Sequence, residues 1–145
     1  MNFVLGNVSV WCSGKLWHSR LESAKIDSAL LGAMPLINVR TSLPALQDGP
    51  ALLQELSSEL ASQTGKPEAY VMTLLELGVP MTFAGNHEPC AYVEVKSIGA
   101  LRPSAMTAAF CALIQTRTGI PANRVYISFE DVHASCWGWN GSTFG

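Results

Sequence analysis

The residue with the most chemical potential in this 145-residue chain is a proline. Met34-Pro35 stands directly before Leu36-Ile37-Asn38-Val39, an apolar run of strand type. Inside a chain, a proline that opens a strand forgoes only a backbone donor its position does not use. At a chain terminus the same residue carries a secondary amine that can take a proton and return it. An α-amino group titrates near pH ~8 in water, and an apolar pocket disfavours its charged form, moving it toward a neutral base. Proton transfer is thus the chemistry open to Pro35, on the condition that its nitrogen is free.

A second pattern suggests metal chemistry. His87-Glu88-Pro89-Cys90 and His133-Ala134-Ser135-Cys136 are both His-x-x-Cys, and two such pairs supply four ligands of the kind zinc takes. The spacing matches no zinc knuckle, no glycine turn tightens either pair, and Cys90 opens a strand where a core role is expected. We therefore expect no metal. Cys12 and Cys111 complete a set of four cysteines. An even count does not make a disulfide framework in a chain this long and apolar, so reduced, buried thiols are expected, as in an intracellular protein.

The elements that must position Pro35 follow from the apolar patterning. The sequence is 48% hydrophobic and only 14% charged, a balance that suggests surface buried in an oligomer. Net charge is −2 with no block of like charge, which argues against a nucleic-acid stripe and a basic membrane face. No apolar run approaches the ~18 residues of a spanning helix. Residues 36–39 read as a buried strand. Asp48-Gly49-Pro50 opens a helix, with Asp48 as cap and Pro50 in the first turn. Leu52, Leu53, Leu56 and Leu60 line one face of it, and Thr64-Gly65-Lys66-Pro67 ends it. Strands are expected over 70–77 and, briefly, 79–83, with a loop at Gly85-Asn86.

The pattern then repeats. Residues 91–98 alternate as a strand, Pro103 stands near a helix start, and Ala105, Met106, Ala109, Phe110, Leu113 and Ile114 form an apolar helical face. Thr118-Gly119-Ile120-Pro121 stops that helix, and 124–131 is another strand. The two stop signals lie 54 residues apart, and the same shift lays Val71 on Val125, Val39 on Val93 and Pro35 on Pro89. The expected fold is α+β: two β-α-β repeats forming a four-stranded mixed sheet with both helices on one face. The other face still carries apolar residues, and packing against copies of the same chain in a closed ring would cover it. The aromatic, glycine-rich tail from Cys136 to Gly145 is expected to dock on a partner.

Residues 1–33 differ from the rest. A short alternation at Val8-Ser9-Val10-Trp11 and a weak amphipathic pattern over 20–31 have no obvious partners, and no export signal is legible. We expect this stretch to be either absent from the native protein, with translation starting at Met34 and processing that frees Pro35, or disordered. The domain proper is 34–145, placed in the cytoplasm, with non-classical secretion as a second route.

From Pro35 to Phe144 the chain resembles the macrophage migration inhibitory factor and D-dopachrome tautomerase family of the tautomerase superfamily. The resemblance is carried by the Met34-Pro35 start, Ser62-Gln63-Thr64-Gly65-Lys66-Pro67, Glu88-Pro89-Cys90-Ala91, Ser97-Ile98-Gly99, Arg124-Val125-Tyr126-Ile127 and Gly138-Trp139-Asn140-Gly141-Ser142-Thr143-Phe144. It implies a homotrimer with active sites between subunits and keto–enol tautomerisation of a small aromatic keto or enol acid, without cofactor. It implies Pro35 as general base and acid, Lys66 on the substrate carboxylate, and the Ile98 amide on a substrate oxygen. Tyr126 of a neighbouring subunit, with Trp139 and Phe144, would form an aromatic slot, and Leu36 would pack beside the base. A cytokine-like role without relevant catalysis is the alternative the resemblance carries. Ser128 stands where the family has a pocket asparagine, Phe129 and Glu130 replace tyrosines, and Trp137 takes a small apolar position at the rim. These departures bear on substrate preference rather than on the proton transfer. Cys90-Ala91-Tyr92-Val93 lacks the second thiol of a redox pair.

Overall fold

A computed structural model describes residues 34–145. The alternation over 8–11 and the helical pattern over 20–31 lie outside the described residues.

Alternation builds the centre. In β1 (Leu36–Thr41), Ile37, Val39 and Thr41 point to one face and are buried. β3 (Ala91–Ser97) does the same with Ala91, Val93, Val95 and Ser97. The two strands pair antiparallel with Ile37 opposite Val95 and Val39 opposite Val93, so the β-branched residues meet across the ladder. β2 (Met72–Glu76) flanks β1 in parallel, and β4 (Val125–Asp131) flanks β3 in parallel, giving the order β2-β1-β3-β4.

Both helices cover the face that carries Ile37 and Val93. In α1 (Gly49–Thr64) the Asp48 carboxylate accepts from the Ala51 amide at 3.3 Å, Pro50 lies in the first turn, and Leu52, Leu56 and Leu60 are buried at i, i+4 spacing. Gly49 is buried against β2, where a Cβ would stand 3.2 Å from Leu75 Cδ2. α2 (Pro103–Thr118) buries Met106, Phe110, Cys111 and Ile114. An Arg117–Glu55 ion pair joins the two helices on their exposed side.

The repeat is borne out closely. Shifted by 54 residues, α1 falls on α2, and the 3-10 turn at Glu68–Tyr70 falls on the one at Ala122–Arg124. Both helices end on a left-handed glycine, Gly65 at φ 69° and Gly119 at φ 75°.

Several expectations change. Residues 79–83 form no strand; instead Phe83 and Asn86 exchange backbone hydrogen bonds of 3.1 Å each around Ala84 and Gly85, both at positive φ. That conformation is a two-residue hairpin turn, and it stops the apolar run from extending. In α2, Ala105 is exposed while Cys111 joins the core. The tail packs on its own chain: β5 (Gly138–Trp139) and β6 (Ser142–Thr143) pair as a small hairpin, and Phe144 is buried. The uncovered sheet face carries apolar residues, as expected, but shares them with charged ones. Met72, Leu74 and Leu36 share it with Arg40, Glu76, Glu94, Lys96 and Glu130, tied by Arg40–Glu76 at 2.9 Å and Lys96–Glu130 at 2.8 Å.

Of the cysteines described, Cys90 and Cys111 are buried, Cys136 is exposed, and all three are free thiols. The two His-x-x-Cys pairs do not converge: among the described residues no three His, Cys, Asp or Glu side chains come together as a metal site. His133 Nδ1 instead lies 2.7 Å from Ser135 Oγ.

Candidate active site

Pro35 immediately precedes β1, on the side of the sheet that the helices cover, and is buried. Its carbonyl accepts from the Met72 amide at 3.0 Å, which ties it to the start of β2. The register places Leu36 opposite Lys96, so Pro35 lies at the end of the sheet where β3 finishes at Ser97.

Lys66 reaches the same end. Gly65 turns the chain at the foot of α1, and the Lys66 amide returns to Ala61 O at 3.1 Å, fixing where the side chain departs. The ammonium donates to Ser97 Oγ and to the Ile98 carbonyl, both at 2.7 Å. Both acceptors are neutral, and among the described residues no carboxylate forms an ion pair with Lys66. Burial lowers its pKa below the ordinary lysine value, and the Asp131 charge works in the opposite direction. An ammonium has three protons to give, so one remains for an anion. Asp131 is itself occupied, accepting from the Gly99 amide at 2.8 Å.

Aromatic rings wall this end. Trp139 stacks near Phe144 with ring centres 6.4 Å apart, and Tyr70 meets Trp139 edge-on at 5.9 Å. Phe144 is 4% exposed and Trp139 42%, so the pair offers an anchored ring and an open one. Tyr70, four residues beyond Lys66, was not among the expected site residues. Its signal was available in its place after the helix stop, at the start of a segment read as strand.

Pro35, Lys66, Ile98, Trp139 and Phe144 therefore belong to one end of one protomer. Tyr126 and Ser128 do not. Tyr126 lies in register with Tyr92 and through it with Arg40, and Ser128 with Glu94 and Asn38, on the face opposite the helices. Five residues of strand and two strand spacings separate the Tyr126 position from Pro35, roughly 20 Å. Tyr126 is also 67% exposed. Leu36, one residue on from Pro35, turns by strand alternation toward that uncovered face.

Comparisons with known proteins agree with this architecture. A model of the family described as macrophage migration inhibitory factor matches residues 34–145. The macrophage migration inhibitory factor of Mus musculus is 37% identical over 114 residues, covering 77% of this chain and 99% of the relative. The homolog from Brugia malayi is 37% identical over 115 residues, covering 77% and 100%. Among solved structures, the macrophage migration inhibitory factor homologue from Prochlorococcus marinus is 61% identical with a TM-score of 0.73, over 76% of this chain and 99% of that one. The Toxoplasma gondii protein is 30% identical with a TM-score of 0.70, over 74% and 98%.

Proposed function

The chain belongs to the macrophage migration inhibitory factor family, and from that membership we propose that it is a cofactor-independent keto–enol tautomerase of the tautomerase superfamily. The Pro35 nitrogen takes the proton from the carbon beside a carbonyl and, as its conjugate acid, delivers a proton to the carbonyl oxygen to give the enol; the reverse passage restores the ketone. Ring geometry fixes the direction of the nitrogen lone pair, and an amine with a pKa near neutral serves in both directions. Lys66 holds the carboxylate of an aromatic α-keto acid and the Ile98 amide meets a substrate oxygen. Trp139 and Phe144 form one wall of an aromatic slot; Tyr126 and Ser128 come from the next subunit of a homotrimer.

The observation that carries this reading is the Lys66 ammonium. It is half-buried, bound only to neutral oxygens, and stands at the sheet end that Pro35 occupies. A desolvated cation with an unused donor is a seat for a small anion.

The reading requires a free Pro35 nitrogen, because an amide nitrogen has no basic lone pair. We place the active N-terminus at Pro35; the family match beginning at Met34 supports this. An intact mass of the native protein that included residues 1–33 would overturn that placement. On the Pro35-started protein, phenylpyruvate tautomerisation should fall at least ~100-fold in Pro35→Gly. Equal rates in both would remove proline catalysis. A second reading, a protein ligand acting through a receptor, is favoured only by the names of relatives such as the mouse protein. Among the described residues no helix is long and apolar enough to cross a membrane.

A further inference from the structure

Arg124 ends the 3-10 turn ahead of β4, two residues before Tyr126, and most of its side chain is covered. Its guanidinium is spent almost entirely on the 83–89 loop. Nε donates to the Pro89 carbonyl at 2.8 Å, and one terminal nitrogen donates to the Glu88 carbonyl at 2.8 Å and to Asn86 Oδ1 at 2.9 Å. The same nitrogen lies 3.5 Å from the Phe83 carbonyl, and Glu88 Oε2 is 3.7 Å from the other. Asn86 Oδ1 also accepts from the Glu88 amide at 3.1 Å, so side chain and loop backbone lock together. Four loop residues thus depend on one planar donor set, which a lysine cannot reproduce.

The loop delivers Phe83 to a defined place. The guanidinium carbon stands 5.2 Å from the centre of the Phe83 ring, within cation–π range. On the other contact, the Phe83 and Tyr126 rings lie 4.9 Å apart, tilted at 53°. Among the described residues the Tyr126 hydroxyl has no hydrogen-bond partner, and the ring is 67% exposed. Phe83 is therefore the aromatic neighbour that orients Tyr126.

We propose that Arg124 is a positioning residue for the reaction: it clamps the 83–89 loop and, through Phe83, sets the angle of the Tyr126 ring that a neighbouring subunit offers to an aromatic substrate. This rests on the tautomerase reading above. It makes the loop, which contributes no reacting group, part of the selection for aromatic over aliphatic keto acids.

The test uses Arg124→Lys, Phe83→Leu and the conservative Phe83→Tyr in the mature, Pro35-started protein. For phenylpyruvate, Arg124→Lys and Phe83→Leu should raise KM about tenfold, the effect of one lost ordering contact, with kcat nearly unchanged. KM for an aliphatic α-keto acid should hardly move, and Phe83→Tyr should restore the parent value. Tyrosine-selective NMR supplies a readout independent of turnover. The chain has three tyrosines, and the Tyr126 ring signal, assigned with Tyr126→Phe, should move toward its free value in the first two variants only. An unmoved Tyr126 signal in Arg124→Lys, or an unmoved KM despite a shifted signal, would overturn the proposal. A parent protein with no activity would instead defeat the tautomerase reading, and the ring signal would still decide whether Arg124 holds Tyr126.

Discussion

At the scale of single residues, Lys66 shows how little separates a structural position from a chemical one. Its counterpart in the second repeat is Ile120, which is 1% exposed and belongs to the core. In the first repeat the same turn carries an ammonium into a half-buried place with two neutral acceptors. In the proposed role, the cationic form would hold a substrate carboxylate and the neutral form would not. Because burial lowers the Lys66 pKa, that capacity is lost on the alkaline side at a pH below the ordinary lysine value. A bound carboxylate favours the cation, so KM for an α-keto acid should climb with pH before kcat responds. In Lys66→Met the alkaline rise should vanish, KM for the acid should increase about 10- to 100-fold as a charge-assisted hydrogen bond is lost, and the corresponding methyl ester should be affected far less. Equal effects on acid and ester would show that Lys66 supports the fold and not the ligand. The partner atoms, Ser97 Oγ and the Ile98 carbonyl, could not be read from the chain order, because they lie 31 and 32 positions further along and the contact exists only once the foot of α1 has been brought to the end of β3.

At the scale of elements, the two repeats act as controls for each other. Gly65 and Gly119 both close a 16-residue helix in the left-handed region, and a Cβ at either would meet nothing within 4 Å. Alanine at each therefore carries only the backbone strain, roughly 1–2 kcal/mol. Gly65→Ala and Gly119→Ala should lower thermal stability by similar amounts. Only Gly65→Ala should also raise KM, because Lys66 follows it directly and Ile120 follows its counterpart. A Gly119→Ala variant with the same KM change would mean that the effect is a general loosening. This equivalence was legible in the sequence because caps, stops and helical spacing are local signals, and the shift of 54 residues aligned them. In the 79–86 segment the loop at Gly85-Asn86 was legible but the lack of a strand before it was not: the apolar residues suggested one, while the Arg124 clamp on Phe83 and Asn86 acts across about 40 residues. The burial of Cys111 in place of Ala105 reflects how α2 is rotated against α1 and the sheet, which helical periodicity alone left open.

At the scale of the whole molecule, the sheet register divides the residues that the family resemblance groups into one pocket. Pro35, Lys66 and the Trp139–Phe144 pair are at one end, while Tyr126 and Ser128 are across two strands on the uncovered face. On the proposed reading, a protomer alone would present half a site. A ring in which one copy's β4 face meets the next copy's Pro35 end would join the halves, and it would give the mixed, ion-paired face of Arg40, Glu76, Glu94 and Lys96 a neighbour to lie against. Subunit mixing tests this directly. Pro35→Gly removes the base, and Tyr126→Ala removes the aromatic wall, so each homogeneous protein should be strongly impaired. When equal amounts are unfolded together and allowed to reassemble at random, a site drawn from two copies is intact when its Pro35 donor and its Tyr126 donor are both unmutated at those positions. That condition holds for about a quarter of the sites in a closed ring. Recovery of about 25% of parent activity on phenylpyruvate is expected, and size-exclusion chromatography with light scattering should report a trimer. If the mixture stays as inactive as its components, the two residues act within one protomer or not at all, and the shared-site arrangement fails even if proline catalysis stands.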